Sequence, residues 1–305
     1  MKSYFLFIPF LFLSFYARAN DTLFYPKVHL KEVVIHSLPE NFSTNDFIDI
    51  IQKDTTFYKA FKSMHLSTYN GIHDIRIFHK NKEQTIAHYQ SETKQIYRNS
   101  CRFMHILEEK VEGDFYNKKG DYNYFTAKLY DELFFTKDTV CGENNIVKGS
   151  LEKELRGKNR IEKSKLQLKQ LLFNPGVAIP GLPGISNKLG IFEEKMADKY
   201  DFVIDLVEKQ GELCYEFSAI PKEKKRNNTV IKYWKTWLRK SDFTILSRDL
   251  HLAYKAGIYD FNVKMYVELE EKMGKLVPIL INYDGNWHLA TQKRERVQFS
   301  GKFYY

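Results

Sequence analysis

The sequence predicts an α+β fold: a curved antiparallel β-sheet, a half-barrel-like meander, with a few packing helices. Three observations lead there. Residues 260–270 place Phe261, Val263, Met265, Val267 and Leu269 on one face of a pleated ribbon, with Asp260, Asn262, Lys264, Tyr266, Glu268 and Glu270 on the other. Similar runs occupy 229–238, 243–254, 276–283 and 287–299. They are separated by Lys240-Ser241-Asp242, Ala256-Gly257, Lys272-Met273-Gly274 and Asp284-Gly285-Asn286, all turn chemistry that is too short for anything but antiparallel neighbours. Elsewhere the period changes to that of a helix, as in 124–135, where Phe125, Leu129 and Leu133 share one face with Tyr124, Tyr130 and Phe134.

In chain order, residues 1–19 read as a signal peptide. Lys2 is followed by an apolar run over 5–15, shorter than a membrane span, and Ala17-Arg18-Ala19 supplies the small-x-small pattern. The mature chain is expected to begin at Asn20, exported and without a lipid anchor. Residues 30–37 then read as a short strand ended by Pro39. Ser43-Thr44-Asn45 offers helix caps, with Asp46 and Asp49 in the first turn. Phe47, Ile50 and Ile51, then Phe57 and Phe61 after an interruption, form a helical stripe that suits core contacts. Residues 65–97 alternate as two or three strands, and 101–111 as another that turns at Gly113-Asp114. Residues 144–169 are dense in charge, and 161–173 read as a helix stopped by Asn174-Pro175-Gly176.

The segment 174–190 holds Pro175, Gly176, Pro180, Gly181, Pro183 and Gly184, which exclude a regular element. Its Val177, Ile179, Leu182 and Ile185 make it too apolar for a solvated linker, so it should lie down on the protein, as a lid over a cavity or as a packed connection. The expected organisation is a signal peptide (1–19), an N-terminal α+β part of the sheet domain (20–143), a charged helix with the Pro/Gly-rich apolar loop (144–198), and the C-terminal meander (199–305).

Composition sets further bounds. Across 305 residues, 47 Lys and Arg face 38 Asp and Glu, a net +9; without Lys2 and Arg18 the count is 45 against 38, a net +7. Such a surplus suits anionic surfaces such as lipid headgroups. No nucleic-acid module is present, and no later segment is apolar for the length of a transmembrane helix. The 24 Phe, 20 Tyr and 3 Trp suit half-buried sheet faces, a large core or a greasy cavity alike. Cys101, Cys141 and Cys214 match no zinc or redox spacing; a Cys101–Cys141 disulfide and three buried thiols are both compatible with an exported chain.

Catalytic and metal signatures are not found among the nine histidines: there is no His-Glu-x-x-His, Cys-x-x-Cys or Gly-x-Ser-x-Gly. His73 and His79 would share one strand face, compatible with a metal site without demanding it. The Arg248-Asp249 and Arg294-Glu295-Arg296 clusters fit anion binding or cross-strand pairing equally. No catalytic residue, metal or cofactor is assigned. Val297, Phe299, Phe303 and Tyr305 recur to an aromatic C-terminus, a pattern shared with outer-membrane β-barrels.

The chain resembles a family of uncharacterised exported proteins of Bacteroidota. The likeness lies in Asp54-Thr55-Thr56-Phe57-Tyr58-Lys59-Ala60-Phe61, residues 168–176, Tyr200-Asp201-Phe202, Cys214-Tyr215, Tyr259-Asp260-Phe261-Asn262-Val263 and Tyr283-Asp284-Gly285-Asn286-Trp287. More loosely, the meander resembles the curved half-barrel of periplasmic lipoprotein carriers, where a sheet wraps helices and an apolar cavity. That likeness implies a lipid-like ligand; fold alone does not fix function. The expectation is a non-enzymatic protein of the periplasm or outer-membrane periphery that binds an amphiphile or an envelope protein partner. An outer-membrane barrel and an enzyme with its site under the Pro/Gly loop are the alternatives.

Overall fold

Alternating patterning of the kind seen in 260–270 is carried through most of the chain, and it builds one sheet. The structure, a computed structural model, describes residues 33–35, 42–147, 173, 176, 185–256, 259–289 and 293–305. Among these the strands are β1 (Val33–Ile35), β2 (Tyr69–Phe78), β3 (Thr85–Arg98), β4 (Cys101–Gly113), β5 (Val140–Cys141), β6 (Tyr200–Lys209), β7 (Glu212–Pro221), β8 (Ile231–Arg239), β9 (Ile245–Ala256), β10 (Tyr259–Lys272), β11 (Lys275–Leu289) and β12 (Glu295–Tyr304). They join in the order β1-β6-β7-β8-β9-β10-β11-β12-β2-β3-β4-β5. Every pairing is antiparallel except that of β1 with β6. The sheet is curved and open, as the sequence predicts.

Two hairpins show how local chemistry sets register. Between β10 and β11 the turn residues Met273 and Gly274 both have positive φ, 50° and 70°, the geometry that follows strand twist in a two-residue turn. In β10 itself Met265, Val267 and Leu269 are buried, while Asn262 and Lys264 are exposed, so the predicted faces hold. The predicted turn at Asp284-Gly285-Asn286 does not form. β11 runs straight through it, with Gly285 opposite Val263 on one side and Val297 on the other. The physical reason is a close approach: a Cβ on Gly285 would lie 2.5 Å from Cζ of the Tyr283 ring. The glycine makes room for an aromatic ring instead of turning the chain.

Among the described residues three helices of ten residues each pack on the inner face of the sheet. Helix α1 (Thr44–Lys53) starts with a capping box in which Asp46 N donates to Ser43 Oγ and Ser43 N donates to Asp46 Oδ2. Asp54 and Thr55 break the stripe, and α2 (Thr56–His65) restarts it; the Asp54 carboxylate accepts from Thr56 N at 3.1 Å and Phe57 N at 3.3 Å. Helix α3 (Phe125–Phe134) matches the predicted helix and lacks a cap of its own. Glu295 of β12 supplies one, accepting from Phe125 N at 2.6 Å, Thr126 N at 3.0 Å and Thr126 Oγ1 at 2.8 Å. Two single turns, α4 (Ser186–Leu189) and α5 (Glu194–Ala197), lead into β6.

The C-terminal alternation has a different use from that of a membrane barrel. β12 lies in mid-sheet between β11 and β2, and its Phe303 stacks on Phe134 of α3 at 5.4 Å. Its apolar face is covered by a helix, not offered to lipid. No helix among the described residues is long and apolar enough to cross a membrane. His65 ends α2, so the stretch 65–97 holds two strands, β2 and β3. The expected signal peptide, and all of the predicted helix 161–173 except Phe173, lie outside the described residues.

Candidate functional site

The inner face of the sheet is an aromatic floor. Phe202, Tyr215, Phe217 and Trp234 come from β6, β7 and β8; α1 lays Phe47 on Tyr215 at 5.9 Å and on Phe217 at 6.0 Å. Helix α2 adds Phe57 and Phe61, both packed on Phe173, at 6.2 and 4.8 Å. Each ring that leaves water contributes on the order of 1.5–3 kcal/mol, which is what holds short helices on a sheet.

One charge stands in that floor. Arg248 of β9 is 2% exposed. Its Nη1 donates to the Phe173 carbonyl at 2.8 Å and its Nε to Thr236 Oγ1 at 3.3 Å. The guanidinium lies 4.2 Å over the Phe57 ring and 5.8 Å from that of Trp234, whose Nε1 donates to the same Thr236 hydroxyl at 2.6 Å. No carboxylate among the described residues forms an ion pair with it. Burial pulls the guanidinium down to about 10, and the more distant Asp54 carboxylate opposes that shift. A cation this dry is costly unless its donors find acceptors, and here the Phe173 backbone carbonyl and the Thr236 hydroxyl supply two.

The sequence paired Arg248 with Asp249 as one cluster, and the structure separates them. Adjacent strand residues face opposite ways, so Asp249 looks out toward Lys235 while Arg248 looks in. The Arg294-Glu295-Arg296 cluster divides likewise. Glu295 is buried under α3, whereas Arg294 pairs with Asp260 and Arg296 with Glu83 at 2.5 Å.

Of the predicted lid residues only Gly176 is described; Pro175, Pro180, Gly181, Pro183 and Gly184 lie outside the described residues. Gly176 is buried, has φ +89°, and accepts from Ile191 N at 3.1 Å. A Cβ there would fall 2.6 Å from Trp234 Cζ3. Phe173 and Gly176 therefore tie the segment to the aromatic floor, one through the Arg248 bond and one through contact with Trp234. Asp54, Phe57, Phe61, Phe173 and Gly176, from two of the stretches that carry the sequence resemblance, thus gather around Arg248 and Trp234.

The described histidines do not assemble a site. His73 is on the inner face of β2, while His79 lies past its end, donating its amide to Gln84 O, so the two share no strand face. Among the described residues no group of three or more His, Cys, Asp or Glu is placed to hold a metal. His73 is buried with Nδ1 2.7 Å from Tyr130 Oη and Nε2 2.9 Å from Thr93 Oγ1. Burial holds the ring neutral, down to about 3. The unfolded chain takes a proton there below 6.5, so the stability from His73 is complete above that pH and is lost as pH falls toward 3. Moving from pH 7 to pH 5 should cost about 2 kcal/mol through this residue. His73→Gln should remove that share from urea-unfolding curves at the two pH values. An unchanged pH dependence in folded His73→Gln protein would overturn this account.

The outer face carries an open concavity of about 430 Å³, lined by Asp74, Arg76, Asp249, Lys264, Tyr266 and Asn282 among others. On one side Asp74 accepts from Arg76 and from Gln90, both at 3.0 Å, and lies 3.0 Å from His88 Nε2. Burial raises the Asp249 carboxyl, with Lys235 as the first of the cations opposing it.

No family model matches the chain, and no curated protein sequence matches it. Among solved structures it is similar to a LolA superfamily protein from Nitrosomonas europaea, at 10% identity and a TM-score of 0.25, covering 82% of this chain and 91% of that one. It is also similar to a DUF1329 family protein from Desulfovibrio piger, at 11% identity and 0.23, covering 82% and 92%. A putative outer membrane lipoprotein-sorting protein domain from Vibrio parahaemolyticus follows at 9% and 0.26, covering 83% and 93%. At TM-scores of this size the reading of the site rests on the chain's own side chains.

Proposed function

We propose that this protein is an exported, non-enzymatic binding protein of the cell envelope that takes an anionic amphiphile between its sheet and its helices. The observation that carries the reading is Arg248, a fully buried cation on an aromatic floor whose nearer acceptor is the backbone carbonyl of Phe173. A carboxylate or phosphate headgroup would replace the Phe173 carbonyl with a charge-assisted bond, and an acyl chain would lie along Phe57, Phe61 and Trp234. The segment bearing Pro175, Gly176, Pro180, Gly181, Pro183 and Gly184 is the lid in this reading, latched while Phe173 O accepts from Arg248.

The test is binding of a fluorescent fatty acid and of its methyl ester. Wild-type protein should prefer the acid, and Arg248→Met should lower affinity for the acid by roughly 10- to 100-fold while leaving the ester alone, as expected for loss of a charged hydrogen bond. Shortening residues 180–184 should leave Tm nearly unchanged and speed probe release. Folded protein that binds neither probe, or an Arg248→Met variant that still prefers the acid, would end the proposal. A lowered Tm with unchanged release would make the segment a packed connector.

A further inference from the structure

Positive charge is arranged differently at the two ends of the strands. At the rim where β7 ends and β8 begins, the 3-10 turn Glu223–Asn228 carries Lys224, Lys225 and Arg226, and none of its residues is buried. Lys222 leads into the turn and reaches Asp201 at 4.0 Å. Lys232 Nζ donates to the Arg226 and Thr229 carbonyls, both at 2.6 Å, which fixes the turn over the start of β8. Burial, and then the neighbouring Arg226 and Lys188 cations, hold the Lys232 ammonium below its ordinary value. Those cations are therefore close enough to repel one another.

The opposite rim has the reverse arrangement. There Arg239 is shared by Glu212 at 2.6 Å, Asp242 at 3.1 Å and Glu271 at 3.9 Å, and Lys272 pairs with Glu270 at 2.7 Å. Arg239 and Lys272 at that end are paired within the protein, while Lys224, Lys225 and Arg226 share a turn whose one acidic residue is Glu223. Aromatic rings lie beside the crowded end. Lys188 Nζ donates to Tyr254 Oη at 3.1 Å and stands 4.6 Å over that ring, and the half-buried Tyr254 and Phe261 pack on Ile185, Leu189 and Val230. Basic side chains flanking aromatic rings suit a lipid–water interface, where cations meet headgroups and rings sit at their level.

We propose that this rim is a docking surface for an anionic membrane, with Lys224, Lys225 and Arg226 facing the phospholipid headgroups and Lys188, Lys222 and Lys232 beside them. Headgroup charge would complement Lys224, Lys225 and Arg226, which form no ion pair among the described residues, and each basic residue near such a surface adds to the attraction. The surface stands independently of Arg248, which faces the interior of the sheet.

The experiment is co-sedimentation with vesicles of phosphatidylcholine alone and of phosphatidylcholine mixed with phosphatidylglycerol. Binding should appear on the mixed vesicles and fall as salt is raised. Changing Lys222, Lys224, Lys225 and Arg226 together to Gln should weaken it at least about tenfold. Changing Lys224 and Lys225 to Arg should preserve binding, as should Lys240→Gln with Lys272→Gln at the far rim and Arg248→Met in the interior. Equal binding to neutral vesicles, or full binding by the fourfold Gln variant, would overturn the proposal. Displacement by inorganic phosphate at constant ionic strength would assign the rim to a small anion and overturn membrane docking as well.

Discussion

Met265→Asp should lower the stability of the fold by about 4–5 kcal/mol, the scale set by an unpaired charge in an apolar interior. Met265 is 4% exposed on the inner face of β10, with Leu250 of β9 and Tyr283 of β11 as its lateral neighbours. Leu250 offers a new carboxylate no donor, and Tyr283 offers a phenolic O–H but no positive charge. One residue back, Lys264 is exposed on the outer face, across from Asp284 and His251. Lys264→Asp should cost within about 1 kcal/mol, mostly like-charge repulsion with Asp284. Urea unfolding of both variants measures the contrast. Equal losses would mean that the sheet is covered on both faces and that its outer side is not solvated.

Removing the Cys101–Cys141 disulfide should cost a similar amount, about 4 kcal/mol, on the chain-entropy account for a loop of this size. The bond joins residues 40 apart and holds β5 on β4, where Cys101 and Cys141 are register partners. Beside it Arg102 pairs with Glu143 and donates to Thr136 Oγ1, and His65 Nδ1 lies 3.5 Å from the same Glu143 carboxylate. Bonding to His65, then Arg102, holds the Glu143 carboxyl down to about 2 against its partial burial. The paired serine variant of Cys101 and Cys141 should show the loss by denaturant unfolding, and Cys214, a buried free thiol, should remain unmodified in the native protein. A loss below about 1 kcal/mol would show that pairing and the Glu143 cluster hold β5 without the bond.

Much of the architecture was legible because it depends on neighbours in sequence. Period-two alternation in 260–270 determined which side chains of β10 face inward. Ser43 and Asp46 determined where α1 starts, since both partners of a capping box lie within one turn. The face formed by Phe125, Tyr130 and Phe134 determined α3. The turn at Met273-Gly274 is signalled by Gly274, which takes positive φ freely, and Met273 adopts it as well. In each case the deciding atoms are a few residues apart, so the pattern survives in one dimension.

The site was not legible in the same way, because its parts meet only through pairings distant in sequence. Arg248 looks like half of a surface ion pair until strand parity, set by Val267 and Thr236 on either side, turns it inward and Asp249 outward. Glu295 looks like part of a charged cluster until β12 brings it under the first turn of α3, 169 residues away at Thr126. Gly285 was read as a turn because Asp-Gly-Asn is good turn chemistry; only the packing of Tyr283 beside it shows why a glycine is needed within a strand. The sequence by itself determined which residues alternate, cap and turn. Tertiary structure decided which strand lies beside which, and so whether a charge sits in water or on the aromatic floor: burial is a property of the partners, and those partners come from the other end of the chain.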